Sequence, residues 1–207
     1  MKTILKAIMV ALLLSLSLHG YDKIIKEAYY DSYNYEKMGD YEDAIKSLMP
    51  VYKEYPNSYT PNLRLGWLYF LNKNYSNALM HYQKAATVVK SSIPPRLGIV
   101  NIYILQGKFD EALRFCGDIL KTDYYNYYAN LYLSQALIGK KDFQNAKAVV
   151  FKMLSLYPSD VLFLQKLATV YRLQNDLKSA AKVYEDILIL DPKNVAANDF
   201  FSSKKER

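Results

Sequence analysis

Apolar residues return along this chain at spacings of three and four, as in Leu65, Leu68 and Tyr69, and short polar breaks interrupt them at even intervals. That spacing gathers the apolar side chains on one face of a helix; a half-buried strand would alternate instead. The breaks are Met38-Gly39-Asp40, Asn72-Lys73-Asn74, Gln106-Gly107-Lys108, Lys140-Lys141-Asp142 and Gln174-Asn175-Asp176, each dividing one helix from the next. Glycine or asparagine in such a break supplies the left-handed backbone that closes a helix, and the aspartate or asparagine after it accepts from the free amides opening the next one. Pro56, Pro158 and Pro192 stop the second helix of their pairs, whereas Pro94-Pro95 falls in a first turn, where proline is tolerated.

The pairs form a repeat. Ala44, Ala78, Ala112, Ala146 and Ala180 stand 34 residues apart, which divides the chain into units 25–58, 59–92, 93–126, 127–160 and 161–194. The alanine is the twentieth residue of each unit. The eleventh is Tyr35, Tyr69, Tyr103, Leu137 and Tyr171; the eighth is small in Ser32, Gly66, Ser134 and Ala168, against Val100; the twenty-seventh is Val51, Ala85, Ile119, Met153 and Ile187. Small residues at positions eight and twenty let two antiparallel helices approach, while larger ones fill the space beside the crossing. A fixed period of this length marks an array in which no unit buries its apolar face alone. With 207 residues, 51% of them hydrophobic, and no linker breaking the period, one elongated domain is expected. Residues 195–207 read as a capping helix and polar tail, with Phe201 at the seventh position of an incomplete sixth unit and Phe200 either in the interface or exposed.

Gly66-Trp67-Leu68-Tyr69 with Ala78 and Tyr82, and Gly107-Lys108-Phe109-Asp110-Glu111-Ala112, are close to the signature of the tetratricopeptide repeat, which the chain resembles over residues 25–194. Departures are Asp31, Val100 and Cys116. The resemblance implies an all-α, right-handed solenoid of five helix-turn-helix repeats whose first helices line a concave groove that binds a protein or peptide. It places the second, fifth, ninth and twelfth residues of each unit on that groove. In unit order the site residues are Tyr29 and Tyr33; Leu63, Trp67 and Phe70; Leu97, Asn101 and Ile104; Tyr128, Leu131 and Gln135; and Arg172. Glu36, Ile138 and Leu162 occupy further groove positions. A face this aromatic and apolar suits recognition, because tyrosine and tryptophan dominate binding energies. The residues with which some family members grip chaperone C-termini are absent: Tyr29, Tyr33, Arg64, Pro94 and Gly98 stand at those places.

The beginning of the chain is of another kind. Lys2 and Lys6 precede an apolar run from Ala7 to Leu18, too short to cross a bilayer comfortably and suited to the core of a secretory signal. Residues 1–20 are therefore expected to be a signal peptide cut after Gly20 or Ser17, of bacterial layout, with a retained inner-membrane anchor as the alternative. The mature chain would be periplasmic. Without Lys2 and Lys6 the 27 basic residues fall to 25 against 20 acidic, and the lysines are spread rather than blocked, which disfavours nucleic acid as a partner.

Chemistry is sparse. Cys116 is single and sits at a core-facing helical position, so an inert thiol is expected. His81 is expected at the surface or partly packed. No His-Glu-x-x-His, Cys-x-x-Cys or glycine-rich phosphate loop occurs, so no metal, cofactor, small-molecule substrate or catalytic residue is expected. The expected function is an adaptor or assembly factor that binds a protein or peptide. The alternatives are a structural subunit in a self-assembled or envelope complex, homo-oligomeric or close to the membrane, and a recruiter of a periplasmic enzyme or cofactor-maturation apparatus.

Overall fold

The structure, a computed structural model, describes residues 23–205; the leader and its cleavage site lie outside the described residues. Among the described residues there are eleven helices and no strand. They fall into two compact units dividing at Pro95–Arg96, where one elongated domain was expected. The first unit holds α1 (23–38), α2 (Tyr41–Glu54), α3 (Tyr59–Leu71) and α4 (Tyr75–Val88). The second begins in α5 (Pro94–Leu105) and continues through α6 (Phe109–Leu120), α7 (Tyr127–Gly139), α8 (Phe143–Leu154), α9 (Val161–Leu173), α10 (Leu177–Leu190) and α11 (Val195–Lys205). Within each unit consecutive helices pack on one another, α1 on α2 and α5 on α6 through shared apolar clusters, and α7 also meets α9, the next first helix.

One device makes every hairpin. The fifteenth residue of each repeat has positive φ: Gly39, Lys73, Gly107, Lys141 and Asn175. The amide after it reaches back to the carbonyl of the eleventh residue, as in Asp40 to Tyr35, Asn74 to Tyr69 and Asp142 to Leu137. That sixth-to-first bond closes the first helix. The side chains of Asp40, Asn74, Asp142 and Asp176 then accept from amides in the first turn of the second helix, a role Lys108 cannot fill. In the second and fourth repeats the left-handed residue is a lysine rather than the glycine or asparagine expected. A β-carbon there costs about 1–2 kcal/mol, which the repeated hydrogen bonds and the stacked neighbours offset.

A second device ties one repeat to the next. Asn62, Asn130 and Asn198 each stand fourth in a repeat and donate to carbonyls six and four residues earlier, pinning the connecting turn. The core follows the register. All five period alanines are fully buried, as are Ala85, Ile119, Met153 and Ile187 at position twenty-seven. A β-carbon on Gly66 would lie 2.5 Å from Cδ1 of Tyr82, so the small eighth residue is needed to seat that ring. Cys116 is buried in the α5–α6–α7 cluster, and burial pushes its thiol up to about 12. In α11 Ala197 and Phe200 are buried, the Phe200 ring 4.7 Å from that of Tyr184, with Phe201 packed beside it.

Candidate functional site

In the first unit a polar network links the groove positions of α1 and α3. Arg64, only 7% exposed, forms an ion pair with Glu36, donates to Ser32 Oγ at 3.1 Å and stacks its guanidinium 3.8 Å above the Tyr33 ring. Glu36 also accepts from the Trp67 indole at 2.7 Å. The network has a physical rationale: a buried guanidinium is tolerable only with a carboxylate and further hydrogen bonds, and Glu36 supplies the charge. The aromatic rings are thereby held without being buried. Tyr33 remains 51% and Trp67 41% exposed, and Trp67 stacks on Phe70 with ring centres 5.9 Å apart. Tyr29 and Leu63 are half-buried on the same helices, Tyr29 against the cluster containing Ala44 and Leu48. The face is thus apolar, fixed and accessible.

The second unit differs. Tyr128 is 55% exposed and Arg172 also faces solvent, whereas Leu97, Asn101 and Gln135 are half-buried. Two expected groove residues are core residues instead. Ile104 is 7% exposed and packs with Val100, Cys116 and Ala136; Leu131 is 8% exposed and packs with Leu164 and Leu167. The side chains wedge between a first helix and the one that follows it, a consequence of stacking that a single helical wheel does not carry.

His81 also departs from expectation. It is 3% exposed, with its ring stacked 5.3 Å from Tyr69 and edge-on to Tyr52 at 5.0 Å. Its Nδ1 lies 2.9 Å from Asn62 Oδ1. The Asn62 amide group is already donating to two carbonyls, so its oxygen is the acceptor and Nδ1 carries the proton. Burial, helped by the charge of Lys84, pushes the imidazole down to about 4. His81 is therefore a neutral structural donor.

An aromatic edge lies outside the groove register. Tyr124 and Tyr125, 58% and 53% exposed, precede α7, and the Lys152 ammonium sits 4.0 Å over the Tyr124 ring. The two tyrosine pairs 124–125 and 127–128 are visible in the sequence, but only folding brings the α8 lysine onto the first of them. Among the described residues no group of three or more histidine, cysteine or acidic side chains could hold a metal, and no helix is long and apolar enough to cross a membrane.

Residues 32–91 match the tetratricopeptide-repeat family. Tetratricopeptide repeat protein 21A of Mus musculus is 22% identical over 123 residues, which cover 59% of this chain and 9% of that protein. The chain thus spans less than a tenth of that relative's length. Among solved structures, a tetratricopeptide repeat protein from Parabacteroides merdae superposes with a TM-score of 0.75 at 16% identity, covering 86% of this chain and 71% of its own. MamA from Desulfovibrio magneticus gives 0.72 at 16% identity, covering 83% and 97%. PilW, described as a widely conserved type IV pilus biogenesis factor, gives 0.70 at 18% identity, covering 78% and 74%.

Proposed function

Because the chain belongs to the tetratricopeptide-repeat family, a protein-interaction scaffold, we propose that it takes a segment of a partner protein against the first-helix faces and works as an adaptor or assembly factor. The observation that carries this reading is the tethered, accessible pair Tyr33 and Trp67. Exposed aromatic rings held by a buried polar network lose little conformational entropy on binding, which favours them as anchors. The signal-like leader supports work in the periplasm. Likeness of fold to a pilus biogenesis factor supports an assembly role.

A photo-crosslinking amino acid placed at Trp67 in the native host tests the reading. A defined crosslinked band is expected there, and none from the same group at Ile189, which is 79% exposed but stands on α10, a second helix outside the groove register. Equal or absent crosslinking at the two sites would defeat the proposal. The structural-subunit alternative draws on the exposed Tyr124–Tyr125 edge, and solution mass separates the two: a monomer fits the adaptor, a stable oligomer the subunit. Fractionation with N-terminal sequencing tests the location, with a terminus at Tyr21 or Leu18 expected and an intact Met1 in the membrane fraction pointing to an anchor.

A further inference from the structure

Two cations occupy the same register in the two units but meet different partners. Arg64 is sixth in its repeat and reaches back to the preceding first helix, where Glu36, twelfth in its own repeat, supplies a carboxylate. Lys166 is also sixth in its repeat and also reaches back to the preceding first helix, α7. There it donates to the neutral Gln135 Oε1 at 3.1 Å, and the twelfth residue, the counterpart of Glu36, is Ile138. Among the described residues no carboxylate pairs with Lys166. The ammonium is half-buried, and the loss of water around it lowers its pKa. An ammonium has three donors, and one neutral acceptor satisfies neither the rest of them nor the charge.

The charge distribution of the second unit points the same way. Its first helices α5, α7 and α9 contain Arg96, Lys166 and Arg172 and not one aspartate or glutamate, while among the described residues the acids of that unit sit on a second helix, a turn or α11. Arg96 lies close enough to Asp118 on α6 to stabilise its charge, and Arg172 is exposed. Tyr128 and Leu162, at the second positions of α7 and α9, are 55% and 45% exposed and give the same face an apolar end.

We propose that the α7–α9 face binds an acidic peptide segment, with a side-chain carboxylate of the partner seated on Lys166 in the place that Glu36 fills for Arg64. A single desolvated ammonium beside apolar rings suits an aspartate or glutamate flanked by apolar residues. A nucleic acid would need a row of cations, which this face lacks. The inference rests on the reading of the first-helix faces as protein-binding and adds the chemistry of the partner.

The test is selection of random dodecapeptides displayed on phage, with their C-termini fused to the coat so that only side-chain carboxylates are offered. The full chain, Lys166→Gln and Ile138→Glu are the baits, each checked for helicity by circular dichroism. Ile138→Glu places a carboxylate at the Glu36 register and should fill the site from within. Peptides recovered by the native chain should be enriched in aspartate and glutamate over the starting library, and both variants should lose that enrichment while still recovering apolar and aromatic peptides. A selected peptide should bind the native chain about tenfold more tightly than its glutamine counterpart, since a hydrogen bond to a charged group contributes about that factor, and Lys166→Gln should erase the difference. Peptides recovered without acidic enrichment, or equal binding of the glutamate and glutamine peptides, overturn the inference and leave the scaffold reading standing. Recovery of no peptide by any bait overturns both.

Discussion

Trp67 and Glu36, on successive first helices, are joined by an indole N–H to carboxylate hydrogen bond of 2.7 Å, although 41% of the tryptophan faces solvent. The same carboxylate neutralises Arg64. One acid thus serves two purposes, balancing a buried charge and fixing an exposed ring.

Trp67→Ala and Tyr69→Ala should separate recognition from folding. The two side chains leave the helix about 200° apart, Trp67 towards solvent and Tyr69 onto His81 and the cluster around Leu65. Trp67→Ala should cost about 1.5 kcal/mol in stability, the low end for one hydrogen bond to a charged group, yet lower partner affinity roughly thirtyfold. Tyr69→Ala should cost about 2 kcal/mol or more in stability and affect binding only through unfolding. Paired thermal melts and partner-binding titrations check this. A Trp67→Ala protein that melts like the Tyr69 variant would place the tryptophan in the core.

Glu36→Ala should destabilise more than Arg64→Met. Removing the acid strands a guanidinium that is 7% exposed, a loss of about 3 kcal/mol at the low end for a broken buried pair. Removing the arginine leaves Glu36 with its side chain 22% exposed and able to hydrate, while methionine refills most of the volume. Urea unfolding of both variants measures the order. The reverse order would show that arginine packing, not charge balance, dominates the network.

Two glycines should respond to alanine with opposite signs. At Gly66 the new methyl would sit 2.5 Å from the Tyr82 ring, so Gly66→Ala should cost about 1–3 kcal/mol. At Gly117, inside α6, nothing lies within 4 Å, and Gly117→Ala should gain about 0.5–1 kcal/mol from helix propensity. Melting temperatures that shift in the same direction would mean the helix crossing at Gly66 is looser than described.

Periodicity made the fold legible because each alanine meets the same surroundings in every repeat. What failed to show was what depends on stacking one repeat upon the next. Ile104 and Leu131 look like groove residues on a wheel drawn for one helix, and only the following helix buries them. The Glu36–Arg64 pair joins the twelfth position of one repeat to the sixth of the next, 28 residues apart, a pairing that neither helix announces alone. Lys73 and Lys141 hide the left-handed turns because the hydrogen bonds that hold them come from the backbone.

His81 shows the same dependence and leads to the last prediction. In the fourth repeat Val149 stands at the position of His81, and the side-chain oxygen of Asn130, the counterpart of Asn62, finds no donor. His81→Val should recreate that orphan in the second repeat and cost about 1–3 kcal/mol at pH 7. The cost should depend on pH. As pH falls through about 6.5 the unfolded chain takes up a proton that the buried ring refuses until about pH 4, so the native protein loses stability across that window and the valine variant does not. The interval corresponds to on the order of 3 kcal/mol at its acid end. Carboxylates titrate alike in both proteins and cancel in the comparison. Melts at pH 7, 6, 5 and 4.5 should therefore show the gap between native and variant narrowing steadily, and closing or reversing near the last. A gap that stays constant over the series would mean that His81 takes up its proton as readily in the fold as in the unfolded chain, and that burial does not hold the ring neutral at acid pH.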